Sequence, residues 1–261
     1  MDYLLVALAS LCVSALTLYS GFGTGTLLMP IFALFYPVEV AVGATAVVHG
    51  MNNIFKVAMV GRQADRSLVL AFGLPAILAA FAGAAALGYA SRLTPLVSYH
   101  LGPHAAQITP VKLLMALLMA AFALCELLPS LRALRFERQY LLLGGVLSGF
   151  FGGFSGHQGA LRSAFLTKVG ISTEAFVGTN AVIGFLVDLA RLTTYGAIVL
   201  TTDGDRFTPG QWGMILTGVV AAFIGTRLGK RYLHKITMHT VQTLTGVLLL
   251  AIALALGTGI I

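Results

Sequence analysis

The sequence predicts an all-α polytopic membrane protein built from two inverted-topology repeats, each a glycine-broken helical hairpin followed by three transmembrane helices. Three observations carry that prediction. Hydrophobic residues make up 58% of the 261 and charged ones only 10%, with a mean hydropathy of +0.92, far too little polar surface to cover a soluble globule. An offset of 135 residues superposes Val42-Gly43-Ala44-Thr45 on Val177-Gly178-Thr179-Asn180, and with it Glu39 on Glu174, Asn53 on Asp188, Lys56 on Arg191 and Gly61 on Gly196. Finally, the charges of equivalent loops differ in opposite senses along the two halves.

The elements follow in order. Apolar runs occupy 3–20, a short 24–36, 40–60, 68–90 and 111–129, then 140–155, a short 158–169, 174–200, 211–228 and 240–260. The long ones approach the roughly 20 residues that a helix needs to cross hydrocarbon. Each short run follows a glycine-rich break, Ser20-Gly21-Phe22-Gly23-Thr24-Gly25 in one half and Gly152-Gly153-Phe154-Ser155-Gly156-His157-Gln158-Gly159 in the other. Glycine at that density interrupts a helix and lets backbone come close to a neighbour. Residues 1–130 are thus the first repeat, 131–139 a basic cytoplasmic linker and 140–261 the second repeat. The N-terminal run lacks the basic start of a cleavable signal and reads as mature chain.

Loop charge sets the orientation. Arg62 and Arg66 follow the 40–60 run, whereas the matching loop of the second half holds Asp203, Asp205 and Arg206. The next loops reverse the contrast: 91–110 has Arg92 alone, while 227–235 has Arg227, Lys230, Arg231 and Lys235. By the positive-inside rule 61–67, the linker bases Arg132, Arg135 and Arg138, and 227–235 face the cytoplasm, and both termini lie outside. The parity requires each glycine-broken unit to enter and return as a hairpin, since a single kinked helix would put Arg62 on the wrong side. The expected setting is a bacterial inner membrane, with lipid as the surrounding partner.

Composition also excludes several roles. The net charge of +7 is scattered in short clusters between apolar runs, which is not a nucleic-acid face. Cys12 and Cys125 lie in apolar runs with no CxxC or His neighbour, so they read as small core residues, with no disulfide framework and no metal site. The chain has no HExxH, no paired carboxylates and no Ser/His/Asp arrangement, so it is not expected to be an enzyme or to need a cofactor. It has no GxxxxGK[ST], which removes ATP as a direct drive.

The polar residues inside the apolar runs are the candidate site, because ionisable groups are costly in a bilayer and mark pathways. Thr45, His49, Asn52, Asn53 and Lys56 recur every three or four residues and form one stripe on the 40–60 helix. The second half answers with Asn180, Asp188 and Arg191, with Gly184 where His49 stands. Asp188 and Arg191 are three apart and placed to pair with each other. Lys56, with no acid within a turn, either belongs to the stripe or snorkels to the helix end. The richest segment is the second break: Gly156, His157, Gln158 and Gly159 offer donors, and Arg162 follows a turn later with no acid nearby, able to grip an oxyanion through two donors. The first break offers Thr24, Gly25 and Thr26 with backbone only.

The remaining polar residues have simpler readings. His100, His104, Gln107 and Thr109 fall in a long exterior loop, His234 and His239 at a basic turn, and Glu126 beside the linker arginines, one of which would pair with it. Gly73, Gly83 and Gly88 allow close helix contact, within one protomer or between protomers.

The segment GFGTGTLLMP followed by VEVAVGATAVVHGMNN, repeated as GFFGGFSGHQGALRSAF followed by EAFVGTNAVIG, resembles the sulfite exporter TauE/SafE family of membrane permeases over nearly the whole chain. The resemblance implies transport of sulfite, thiosulfate or an organosulfonate. This sequence departs from the usual glycine run at His157-Gln158 and at Thr24 and Thr26.

Together these readings describe a secondary transporter for a small sulfur-containing anion, working by alternating access. The substrate would be held by His157, Gln158, Gly156, Gly159, Arg162, Lys56, Asn52, Asn53, Asn180, Arg191, Thr24 and Gly25. His49, His157 and Asp188 are the candidates for a coupling proton. The alternatives are an anion channel or a non-catalytic membrane partner of a sulfur-metabolism complex.

Overall fold

Helices begin and end close to where the apolar runs do. The computed structural model describes residues 2–20, 24–101, 104–201, 207–232 and 238–261. Helix α1 (Asp2–Ser20) precedes α2 (Thr24–Phe32) and the long α3 (Val38–Val60). After a 3-10 turn at Gly61–Gln63, α4 (Arg66–Leu68) starts on Asp65, whose side chain accepts from the Leu68 amide at 3.0 Å. It runs through a π-helical turn, Val69–Gly73, into α5 (Leu74–Ala90). Pro75 supplies the reason: it lacks an N–H and crowds the carbonyl one turn earlier, and the wider turn absorbs both defects.

The described remainder of the chain is again helical apart from one hairpin. Helix α6 (Pro110–Leu127) leads through α7 (Pro129–Arg132) to α8 (Leu141–Ser155), α9 (Gly159–Leu166), α10 (Thr173–Thr201), α11 (Pro209–Tyr232) and α12 (Met238–Gly257). The linker between α7 and α8 is pinned under α9: the Phe136 amide donates to the Ala164 carbonyl at 3.2 Å, and its ring stacks on Phe165 with centroids 4.2 Å apart.

Residues 91–110 depart from the expected loop. Strands β1 (Val97–Leu101) and β2 (His104–Ile108) form an antiparallel hairpin, with Val97 opposite Ile108 and Tyr99 opposite Ala106. The Gln107 amide donates to the Gly259 carbonyl at 3.2 Å and the Tyr99 hydroxyl to that of Thr258, which ties the hairpin to the end of α12. Thr109 caps α6 by accepting from the Lys112 amide at 3.2 Å. His100 and His239 are exposed. Asp203, Asp205, Arg206, His234, Lys235 and residues 21–23 lie outside the described residues, as do the side chains of His104 and Arg231.

Packing partners come in matched sets. Helix α5 lies along α8, and α1 lies along α11, which is the same pairing transposed by the repeat offset; α6 packs on α12 and α3 crosses α10, each on its own counterpart. In lipid the tails are as apolar as leucine, so close backbone approach rather than water exclusion holds such seams. A Cβ at Gly145, Gly149 or Gly153 of α8 would come within 2.4, 2.0 and 2.1 Å of the carbonyl oxygens of Phe72, Ala76 and Ala80. On α11 the same role falls to Gly225 and Gly229, at 2.1 and 2.6 Å from the Leu11 and Ala15 carbonyls. Gly83 and Gly88 also work within the chain, against Phe150 and Ile198.

Among the described residues four helical stretches, Arg66–Ala90, Pro110–Leu127, Thr173–Thr201 and Pro209–Lys230, are long and apolar enough to cross a membrane. Helix α3 falls short on composition because His49, Asn52, Asn53 and Lys56 dilute it. Leu4, Leu70, Leu142, Leu216 and Leu254 are exposed, a surface suited to lipid. Cys12 belongs to that surface and not to the core expected of it, since its side chain is exposed on α1.

Candidate functional site

The crossing of α3 and α10 centres on Asp188. Gly50 makes the approach possible, since a Cβ there would already touch the Asp188 Cβ at 3.4 Å. His49 Nδ1 lies 2.6 Å from Asp188 Oδ2, and Asn53 Nδ2 donates to the same oxygen at 2.8 Å. The other oxygen, Oδ1, accepts from Arg191 Nε at 3.0 Å and from Gln158 Nε2 at 3.3 Å, with Arg191 Nη2 at 2.8 Å. All five side chains are buried. The pair expected between Asp188 and Arg191 therefore forms, but as part of a hub drawing on two helices, α3 and α10, and the second break.

A left-handed glycine shapes that break. Gly156 has φ 80° and ends α8, its amide donating to the Gly152 carbonyl at 3.0 Å. Non-glycine residues pay for this conformation, which turns the chain so that α9 faces α10. Gln158 is fixed there by Ser148, whose hydroxyl donates to its carbonyl at 3.0 Å. Arg162 Nε then donates to Asn180 Oδ1 at 2.6 Å and Nη1 to Gln158 Oε1 at 3.1 Å. Asn180 is oriented in turn by its amide, which donates to the Phe176 carbonyl at 2.8 Å. Gly184 makes the room: a Cβ at that position would sit 2.8 Å from Asn53 Nδ2 and 3.3 Å from Arg162 Nη1.

The two breaks meet beside His49. A Cβ on Gly25, at the start of α2, would stand 3.1 Å from the Gly156 carbonyl oxygen, 3.7 Å from Thr45 Cγ2 and 3.8 Å from His49 Cδ2. The hydroxyls of Thr24, Thr26 and Thr45 are buried and make no hydrogen bond among the described residues. His157 is buried without a hydrogen bond of ordinary geometry at either ring nitrogen, and its ring lies flat on Phe122, 5.4 Å between centroids and 7° between planes. Gly159 is buried in the first turn of α9.

Charge is uneven in this buried region. Lys56, Arg162 and Arg191 are buried cations, and Asp188 is the acid that pairs with Arg191. Lys56 lies in the fields of both Arg162 and Asp188 and forms no ion pair among the described residues. Buried charge without compensation is costly, so a site of this composition favours an anion.

Most of the expected site residues come together here, with one exception. Asn52 turns toward α11, where its side-chain oxygen accepts from the Thr226 hydroxyl at 2.8 Å. The sequence reading passed over Ser148, Thr226, Phe122 and Tyr195, whose hydroxyl donates to the Gly153 carbonyl. Tyr195 had a signal, standing four residues after Arg191 on the same helical face; the other three had none. The family model described as Sulfite exporter TauE/SafE matches residues 6–256. A search of curated proteins finds no match.

Proposed function

The chain belongs to the sulfite exporter TauE/SafE family, and from that membership we propose that it is a secondary transporter moving a small sulfur-containing anion, sulfite, thiosulfate or an organosulfonate, by alternating access. The family is one of membrane transporters for sulfur anions, and the apolar helices agree with an integral membrane protein. The observation that carries the reading is the charge imbalance where the two glycine breaks meet. Among the described residues Arg162 bonds only neutral partners, Asn180 and Gln158, and keeps donors for a ligand, and Lys56 adds a second cation without a carboxylate of its own. An oxyanion between them would neutralise the excess. The unpartnered hydroxyls of Thr24 and Thr45 and the ring of His157 supply further hydrogen bonds at its edge.

In this reading residues 1–130 and 140–261 are oppositely oriented copies, and transport is the exchange of conformation between them. The matched helix pairs support it, and so does the hydrogen bond between Asn53 and Asp188, which occupy the same place in the two copies. The His49–Asp188 contact is the place for a coupling proton, with the buried His157 ring as a second carrier.

Binding of sulfite, thiosulfate, sulfate, small sulfonates and carboxylates to the purified protein tests the proposal, measured by calorimetry for wild type and Arg162→Ala. One sulfur anion that binds and is lost in the variant is the expected result. Equal binding by both proteins would overturn the site, and a preference for carboxylates the substrate class. For coupling, uptake into vesicles should respond to an imposed pH gradient in wild type and cease to respond in His49→Asn.

A further inference from the structure

Beneath α9, on the face that carries the 131–139 linker, lies a cavity of about 160 Å³. Glu126, Arg132, Arg135, Ser163, Thr167 and Gln242 are the polar members of its wall, and Phe122 and Cys125 belong to its apolar part. It is a different space from the buried cluster, yet α9 separates them by the thickness of one helix. Ala160, Leu161, Ser163 and Ala164 look into the cavity while Arg162, on the opposite side, holds Asn180 and Gln158. Phe122 is shared: it lines the cavity and stacks flat on His157, the residue next to the Gly156 turn against which Arg191 packs.

Resting on the anion-transport reading, we infer that this cavity is the vestibule through which the anion reaches the buried cluster from the linker face, with Arg132 and Arg135 drawing it in and the Phe122–His157 stack as the partition it crosses. Charge supports the direction of the argument. Two guanidiniums face one carboxylate, so the space is net positive, and a lined, low-dielectric cleft concentrates counter-ions. The wall also holds polar atoms with nothing to bind among the described residues: Glu126 is buried, its Oε2 and the Ser163 hydroxyl have no hydrogen-bond partner there, and Gln242 meets the same carboxyl. These are groups that water or a passing solute would satisfy. Arg132 is positioned by donating Nε to the Glu126 carbonyl at 2.7 Å, while Arg135 stands exposed at the rim. The partition is thin, since two aromatic rings in parallel contact part by a rotation of either side chain.

Cys125 is a reporter already in place. In the full-length Cys12→Ala protein, in membrane vesicles of both orientations, Cys125 should react with an anionic methanethiosulfonate added at the linker face and not at the other. Arg135→Gln should slow that reaction by about tenfold while leaving a cationic thiosulfonate unaffected or faster. A Cys125 that reacts only from the opposite face, or that ignores reagent charge in both proteins, overturns the vestibule. Phe122→Ala should raise downhill sulfonate flux several-fold with Cys125 labelling unchanged; unchanged flux from a protein that still labels normally overturns the partition. Labelling needs no transport, so loss of the transport reading and loss of the vestibule give separate signatures. A chain that labels as expected but carries no sulfur anion removes only the former.

Discussion

The first glycine break runs Gly21-Phe22-Gly23-Thr24 toward Leu27; the second, 135 residues on, runs Gly156-His157-Gln158-Gly159 toward Arg162. Where one copy places a leucine in an apolar cluster with Val48 and Ile215, the other places a guanidinium between Asn180 and Gln158. The first copy contributes surface, hydroxyls and a glycine that lets the backbones meet; the second contributes charge. Helices α3 and α10 show the reverse division in part, with His49 facing a glycine position, Gly184, across the repeat. On the proposed repeat reading, one shape used twice supports a site whose chemistry is not repeated, and an asymmetric ligand can be held without giving up a symmetric scaffold.

That contrast can be broken most severely at Asp188. Asp188→Ala leaves Arg191 buried without its acid and removes the acceptor used by His49, Asn53 and Gln158, so the unfolding free energy in detergent should fall by about 3–5 kcal/mol. Asn53→Ala, at the position that aligns with Asp188, should cost less, about 1.5–3 kcal/mol, since it removes one donor to the carboxylate and its contact with His49 but strands no charge. Arg162→Ala removes a cation that no carboxylate awaits, so it should lower anion affinity by about 1.5–3 kcal/mol in calorimetry with a smaller effect on stability. Gly156→Ala should destabilise by about 1–2 kcal/mol from the left-handed backbone alone, with crowding of Arg191 Nη1 at 3.0 Å in addition. The smallest change is expected in the first copy: Thr24→Val replaces an unpartnered buried hydroxyl by a methyl and should shift stability by less than about 0.5 kcal/mol, while weakening the anion if that hydroxyl is used.

Much of the architecture was legible because lipid imposes a length and an apolar period that the chain must display. The runs at 40–60, 140–155 and 174–200 became α3, α8 and α10 within a few residues. The polar stripe was legible for the same reason, since five polar residues at helical spacing on one apolar rod have to face protein. Its partners were not. His49 meets Asp188 across 139 residues, and spacing within a helix says nothing of which helix crosses it. Asn52 and Asn53 show the finer difficulty: one residue apart, they point about 100° away from each other, one to α11 and one to α10. The β1–β2 hairpin was masked by its alanines and histidine, weak strand formers, although Gly102-Pro103 between the two runs marked a turn. Glu126 was expected to pair with a linker arginine, but Arg132 reaches its backbone carbonyl instead, and the carboxyl is left to the cavity.

On the proposed inverted-repeat reading, in which residues 1–130 and 140–261 are copies of one half-length chain, the hydrogen bond between Asn53 and Asp188 also constrains ancestry. Residues at the same place in two related copies touch only where those copies turn about a common axis, so in a homodimer of one half-length chain each would confront itself. Two aspartates about 3 Å apart cannot both stay ionised, and two asparagines would leave an arginine on either side without an acid. Fusion of the halves lifts that restriction, because each position can then mutate alone. The single carboxylate at the centre of this site is therefore something that a pair of identical chains could not have held in its present form.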